Sequence, residues 1–238
     1  MIDFTTPPNR PLVAASILSA DFGRMTEECR DVLAKGADLL HVDVMDGHFV
    51  SNLTMGQDMI RALRKHLPDV YLDVHLMVER PSDYLESFAA AGANCFSFHL
   101  EVCTPTIDGG EDAESLIEKI RVLGMHAGMV VNPPTAPDGL LSYLPMLDLV
   151  LVMSVYPGRS GQQFISDVLD KTRWLKQRIG AATRLEMDGG LNPGTAGAAV
   201  DAGVDVMVTA SALFGAEDRA AVVRRLHEAG TERGAKSE

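Results

Sequence analysis

Eight short apolar runs, separated by helical or polar stretches, constrain this chain more than any other feature. In order they are Val13 to Ile17, Leu39 to Val44, Val70 to Leu76, Cys95 to Leu100, His126 to Val131, Leu149 to Met153, Arg184 to Met187 and Val206 to Thr209. Runs that are apolar nearly throughout read as strands buried on both faces, the habit of parallel sheets. Helical patterns with clear stops lie between them. Arg24 to Lys35 ends before Gly36, Met59 to Leu67 stops at Pro68, and Ser82 to Ala91 lies between Pro81 and Gly92. Ala113 to Leu123, Val168 to Ile179 and Thr195 to Ala202 precede Gly124, Gly180 and Gly203. Strict alternation with short Gly-bounded links predicts an α/β fold with a parallel sheet, and eight units predict closure into a single (β/α)8 TIM barrel. A length of 238 residues with 46% hydrophobic content suits one such domain over 1–238. The residues from about 230 to 238 read as a frayed tail, and the polar insertion Val102 to Glu111 as a flexible cover on the ligand-binding face.

Charge and composition exclude several function classes. A formal net charge of −12 would repel a polyphosphate backbone, and no Lys or Arg cluster interleaved with aromatics offsets it, so nucleic acid is not an expected partner. The apolar runs are only of strand length, so no membrane span is expected. The opening MIDFTTPPNRP lacks the basic-then-apolar pattern of a secretory signal, and the odd set Cys29, Cys95 and Cys103 lacks metal-finger spacing. Reduced thiols in a cytoplasmic protein are the expectation. An anionic small substrate stays compatible, because backbone N–H groups hold phosphate whatever the global charge.

A parallel barrel places ligands beyond the carboxyl ends of its strands. There the sequence sets His41 and Asp43 in LLHVDVMDGHFV, His75 in VYLDVHLMV and Asp188 in TRLEMDGG. His41 and Asp43 are two residues apart and so share one face of a strand. A lone Asp at a strand end is more often a helix cap, and a lone His on an apolar strand more often a core residue. As a set, two imidazoles and two carboxylates form a divalent-metal site, with carboxylates able to move protons. Zn, Fe, Mn and Co all suit such ligands. Opposed carboxylates suit removal of a proton from one face of a carbon and its return to the other. His99 occupies a similar strand position without a partner at matching spacing, and reads as substrate contact or packing. His48, His66, His126 and His227 read as surface or structural residues.

Small residues gather after the sixth, seventh and eighth runs: Gly158 and Gly161 in VYPGRSGQQF, Gly189 and Gly190 in MDGGLNPG, Ala210 and Ser211 in TASALFG. Barrels often hold a phosphate in that region on backbone N–H groups. Arg159 adds either a charged phosphate contact or a solvated loop residue. Met45, Met77 and Met153 sit near strand ends and serve either as core filling or as a water-excluding ring beside a reacting carbon. Ser16, Asn132 and Gln162 are placed to orient hydroxyls or to satisfy loop backbone.

The stretches ASILSADF, HVDVMDGHFVSNLTMG, DVHLMVERP, HLE, NPPT, VMSVYPGRSGQQF and MDGG together resemble the ribulose-phosphate 3-epimerase family over nearly the whole chain. The resemblance implies a TIM barrel with one divalent metal that interconverts D-ribulose 5-phosphate and D-xylulose 5-phosphate. It implies ligation by His41, Asp43, His75 and Asp188, an acid/base pair of Asp43 and Asp188, and substrate contacts from Ser16 and His75. It further implies a phosphate cradle of Gly158, Arg159, Ser160, Gly161, Gly189, Gly190 and Ser211, to which Ala210 is added here as a neighbouring candidate, methionines 45, 77 and 153 around the reacting centre, and a homo-oligomer. The chain departs from the family pattern at Ser51, where Pro is usual, at Tyr156, at Arg159-Ser160 and at Ala210. These departures surround the phosphate and sugar tail and leave the metal set intact. The expected activity is therefore metal-dependent ketose-phosphate 3-epimerisation. An epimerase of another phosphorylated ketose, such as allulose 6-phosphate, is the near alternative, and a non-catalytic sugar-phosphate-binding barrel the distant one.

Overall fold

A computed structural model describes residues 4, 6, 8–103 and 111–229. Eight strands run β1 (Leu12–Ser16), β2 (Leu39–Met45), β3 (Leu72–Met77), β4 (Cys95–His99), β5 (His126–Val131), β6 (Leu149–Met153), β7 (Arg184–Asp188) and β8 (Val206–Thr209). Each pairs in parallel with its sequence neighbour, and β8 returns to β1, so the sheet closes. The helices are α1 (Met25–Ala34), α2 (Gln57–His66), α3 (Leu85–Ala91), α4 (Ala113–Val122), α5 (Val168–Lys176), α6 (Ala196–Asp201), α7 (Ser211–Phe214) and α8 (Arg219–Glu228). This is the expected (β/α)8 barrel.

Two cores follow from the two faces of each strand. On β2 and β3 the residues Leu40, Val42, Leu72, Val74 and Leu76 point outward into the layer shared with Ile60 and Leu63 of α2 and Phe88 of α3. Alternate residues point into the barrel. At its base Phe4, Tyr71, Leu39, Cys95 and Leu149 form an apolar plug, with Phe4 stacked 4.7 Å from Tyr71. Above the plug the interior turns polar, with Asp73, His41, Glu186, His75 and His99 all fully buried.

The β5–β6 crossover departs from strand-helix alternation. It holds 3-10 turns at Pro137–Leu140 and Leu144–Met146 and no α-helix. Pro133, Pro134, Pro137 and Pro145 lack the N–H groups that helical bonding needs. The first turn of the expected Ser82 to Ala91 helix is likewise 3-10, over Pro81–Tyr84. β3 starts at Leu72 rather than Val70, because the chain leaves α2 through a turn at Pro68 and Asp69. Most of the Val102 to Glu111 insertion (104–110) and the 230–238 tail lie outside the described residues. Among the described residues no helix is long and apolar enough to cross a membrane.

Candidate active site and metal centre

The β2–β3 register builds the site in layers. His41 lies opposite Asp73, Asp43 opposite His75, and Met45 opposite Met77, each pair one pleat above the last. β7 contributes Glu186 and Asp188 with the same two-residue step. Each of His41, Asp43, His75 and Asp188 offers one ligand atom, and these atoms all lie within 4.8 Å of one another. His41 Nε2 is 3.4 Å from His75 Nδ1 and 3.5 Å from Asp43 Oδ1, which is 3.3 Å from His75 Nδ1. Those separations match the edge, roughly 3.3 Å, of a tetrahedron around an ion with ligand bonds of about 2.0–2.1 Å. Asp188 Oδ2 stands a little further off, 3.9 Å from His75 Nδ1. Buried imidazole and carboxylate donors aimed at one point fit a divalent cation.

The environment drives the two carboxyl groups apart in the metal-free protein. Burial pushes Asp43 up, but the charge of His41 beside it outweighs burial and holds Asp43 far below the usual carboxylate range. Burial, joined by the charge of Asp43, pushes Asp188 up to about 7. His41 is raised well above the ordinary histidine value because Asp73 and Asp43 together exceed the effect of burial. His75 falls to about 4, chiefly through burial. The two carboxyl groups thus shift in opposite directions, the separation expected of an acid and a base sharing a site.

A second tier holds the first in place. Asp73 Oδ2 lies 2.5 Å from His41 Nδ1, leaving Nε2 aimed at the other donors, and Glu186 Oε1 is 3.3 Å from the same Nδ1. Ser16 donates to Asp43 Oδ2 over 2.6 Å. His75 Nε2 is 2.8 Å from His99 Nε2, and His99 Nδ1 is 3.1 Å from Glu101 Oε2. Burial works to raise Glu101, and hydrogen bonds from His99, Thr135 and the Asn132 N–H overcome it, bringing the carboxyl down to about 2.

Above the carboxylates a cavity is lined by Ser16, Asp43, Met45, Met77, Met153, Asp188, Gly189, Gly190, Ala210, Ser211 and the whole turn Gly158, Arg159, Ser160 and Gly161. Every residue expected on the substrate side lies here except His75, which with His41 sits beneath the cavity floor. Gly189 and Gly190 have φ of 123° and 63°. A Cβ on them would meet Val155 at 2.5 Å and the Phe164 amide nitrogen at 2.6 Å, so this wall admits only glycine. Gln162 donates to the carbonyls of Tyr156 and Arg159, which makes it a loop brace.

Residues 12–214 match a model described as the Ribulose-phosphate 3 epimerase family. The chain belongs to the ribulose-phosphate 3-epimerase family. That makes it an epimerase, an isomerase by class. The ribulose-phosphate 3-epimerase cytoplasmic isoform of Oryza sativa subsp. japonica is 40% identical over 219 residues, spanning 91% of this chain and 92% of that protein. The ribulose-phosphate 3-epimerase of Bacillus subtilis is 42% identical over 211 residues, 87% of this chain and 94% of its own length. Among solved structures, the 3-hexulose-6-phosphate synthase of Salmonella typhimurium superposes with a TM-score of 0.64 at 16% identity, covering 93% of this chain and 99% of that one. At that identity the likeness concerns the fold alone.

Within this family member, the sequence departures divide by position. Arg159 and Ala210 line the cavity, whereas Ser51 and Tyr156 lie outside its wall, both exposed. Sequence reasoning passed over Asp73, Glu186 and Glu101, and left His99 without a partner; the structure corrects this by setting His99 against both His75 and Glu101. The signal was available. Asp73 and Glu186 each precede a candidate ligand by two residues, so strand periodicity points them into the barrel below it.

Proposed function

We propose that this protein inverts the configuration at C3 of a phosphorylated ketose, interconverting D-ribulose 5-phosphate and D-xylulose 5-phosphate, with a divalent ion held by His41, Asp43, His75 and Asp188. The observation that carries the reading is the convergence of those four donors, two imidazoles and two carboxyl groups from three strands, beneath a cavity. A bound divalent ion would polarise the C2 ketone and so acidify the neighbouring C3 proton. Asp43, ionised, takes that proton from one face, leaving a planar enediolate. Asp188, in its acid form, returns a proton to the opposite face, and the two exchange roles in reverse. Ser16 orients Asp43 by donating to Oδ2. Met45, Met77 and Met153 pack around the reacting carbon and exclude water. The turn Gly158, Arg159, Ser160, Gly161 and the stretches Gly189-Gly190 and Ala210-Ser211 hold the phosphate, largely through backbone N–H groups.

A second reading, 3-epimerisation of a longer phosphorylated ketose such as allulose 6-phosphate, is favoured by one observation: Arg159 and Ala210, both departures from the family pattern, line the cavity. We place the protein in the cytoplasm as a homo-oligomer of one-domain chains, with no nucleic-acid partner. The deciding experiment is a coupled epimerase assay over a panel of ketose phosphates, with and without chelator. Highest kcat/KM on ribulose 5-phosphate supports the reading; turnover of no ketose phosphate by metal-loaded protein would overturn it.

A further inference from the structure

We propose that His99 and Glu101 form a positioning relay that fixes the tautomer of His75 and so keeps its Nδ1 lone pair facing the cation position. The inference rests on the metal reading of His41, Asp43, His75 and Asp188. His75 directs Nδ1 toward that cluster, 3.3 Å from Asp43 Oδ1 and 3.4 Å from His41 Nε2. A neutral imidazole carries one proton, so a lone pair on Nδ1 requires the hydrogen on Nε2. That Nε2 lies 2.8 Å from His99 Nε2. His99 must then accept there and carry its own hydrogen on Nδ1, which points at Glu101 Oε2, 3.1 Å away.

Glu101 sets the direction of the whole chain because a carboxylate only accepts. Its Oε1 accepts from the Asn132 backbone N–H over 2.8 Å and from the Thr135 hydroxyl. Lys171 of α5 pins that loop by donating to the carbonyls of Asn132, Pro133 and Thr135 over 2.5–3.0 Å. His75 and His99 are fully buried, and the Phe49 ring lies 4.6 Å from His99, so solvent does not substitute for a misdirected partner. Outer partners of metal-binding histidines commonly select the tautomer in this way. Here the selection passes through a second imidazole before it reaches the carboxylate.

The near-isosteric change Glu101→Gln separates direction from packing. A backbone N–H can only donate, so the amide oxygen must stay toward Asn132 and the NH2 group must face His99 Nδ1. His99 is then obliged to accept at Nδ1 and to donate from Nε2. That moves the His75 hydrogen to Nδ1, where it opposes a cation. His99→Leu removes the acceptor outright, whereas His99→Gln offers an amide oxygen near the original Nε2.

The test is Co2+ binding to the metal-stripped full chain, read by chelator competition and by the visible absorption of bound Co2+, beside the thermal midpoint of each metal-free protein. Glu101→Gln and His99→Leu should weaken Co2+ binding roughly 10–100-fold and alter the absorption bands. His99→Gln should retain most of the parental affinity, and adding Glu101→Gln to it should change little. Parental affinity and spectrum in both Glu101→Gln and His99→Leu would overturn the relay, even if their metal-free thermal midpoints fell. Loss in His99→Gln as large as in His99→Leu would also overturn it, since an acceptor alone would not suffice. A parent that binds no Co2+ is a separate outcome: it removes the metal reading, and this inference with it.

Discussion

Asp43 and His75 stand directly opposite one another on the β2–β3 ladder, with Oδ1 of the aspartate 3.3 Å from Nδ1 of the histidine. One parallel pairing therefore sets a carboxylate beside an imidazole on the interior face. The next pleat up pairs Met45 with Met77, so the polar pair is roofed by two thioethers in the same register. A one-residue slip of β3 would turn His75 outward among the α2 and α3 side chains. The outward residues Leu72, Val74 and Leu76, all fully buried, oppose that slip.

The first prediction concerns the two carboxylates. Asp43→Asn and Asp188→Asn preserve shape but remove a proton carrier, and each should lower epimerisation by roughly 10²–10⁴-fold. In deuterated water one variant should still exchange the C3 hydrogen of one epimer without inverting it, because the surviving carboxylate works one face. Proton NMR of each epimer reads this. An Asp188→Asn protein that binds metal and epimerises at the parental rate would remove the second carboxylate from the mechanism.

Metal affinity should fall with acidity in a window set by the same groups. Asp188 is raised to about 7 in the metal-free protein, so below that pH an incoming cation must displace its proton. His41, raised well above its ordinary value, adds a second displaced proton. The apparent affinity should therefore drop about tenfold or more per pH unit below 7, measured by chelator competition between pH 5 and 8. A flat profile across that window would contradict proton displacement.

Much of this site is legible in the sequence because strand periodicity is simple. An even step from His41 reaches Asp43 and Met45, and the Gly-bounded runs bring the remaining candidate ligands to the same end of a barrel. Contacts between strands are another matter. That His75 meets His99 depends on barrel tilt and on rotamers, neither of which a spacing rule contains. Asp73 and Glu186 were hidden by expectation, since buried carboxylates seldom occur unless paired. Burial and the charge of Asp73 push Glu186 up to about 8. The β5–β6 link, which carries Pro133, Pro134, Pro137 and Pro145, forms 3-10 turns in place of a helix.

Arg159 gives a narrower prediction. If its guanidinium meets the phosphate, Arg159→Ala should raise KM for the phosphorylated ketose about tenfold with kcat little changed, the pattern of lost uniform binding. The effect should shrink as salt rises. Kinetic constants identical to the parent at low ionic strength would make Arg159 a solvated loop residue.

The last prediction lies at the opposite end of the barrel. Asp38 accepts from Nη1 and Nη2 of Arg10, at 3.0 and 2.8 Å, and from the Val13 N–H at 2.8 Å. It also lies 2.8 Å from His227 Nε2. One carboxylate thus ties the segment before β1 to β1 itself and to α8. Burial alone would raise its pKa, but hydrogen bonds with His227, Arg10 and Val13 bring it down to about 2 from an ordinary 3.8. A depressed folded-state pKa stabilises the fold fully above the unfolded value and loses that contribution as pH falls through the folded one. The contribution is on the order of 2 kcal/mol at neutral pH, vanishing between about pH 4 and pH 2. Asp38→Asn replaces one acceptor with a donor and removes the charge, so it should be less stable than the parent at pH 7. The gap should narrow toward pH 2, where the parental carboxyl is itself protonated. Urea midpoints of both proteins across pH 2–7 measure this directly. A gap that stays constant across the range would mean that packing, and not the ionised carboxylate, accounts for the role of Asp38.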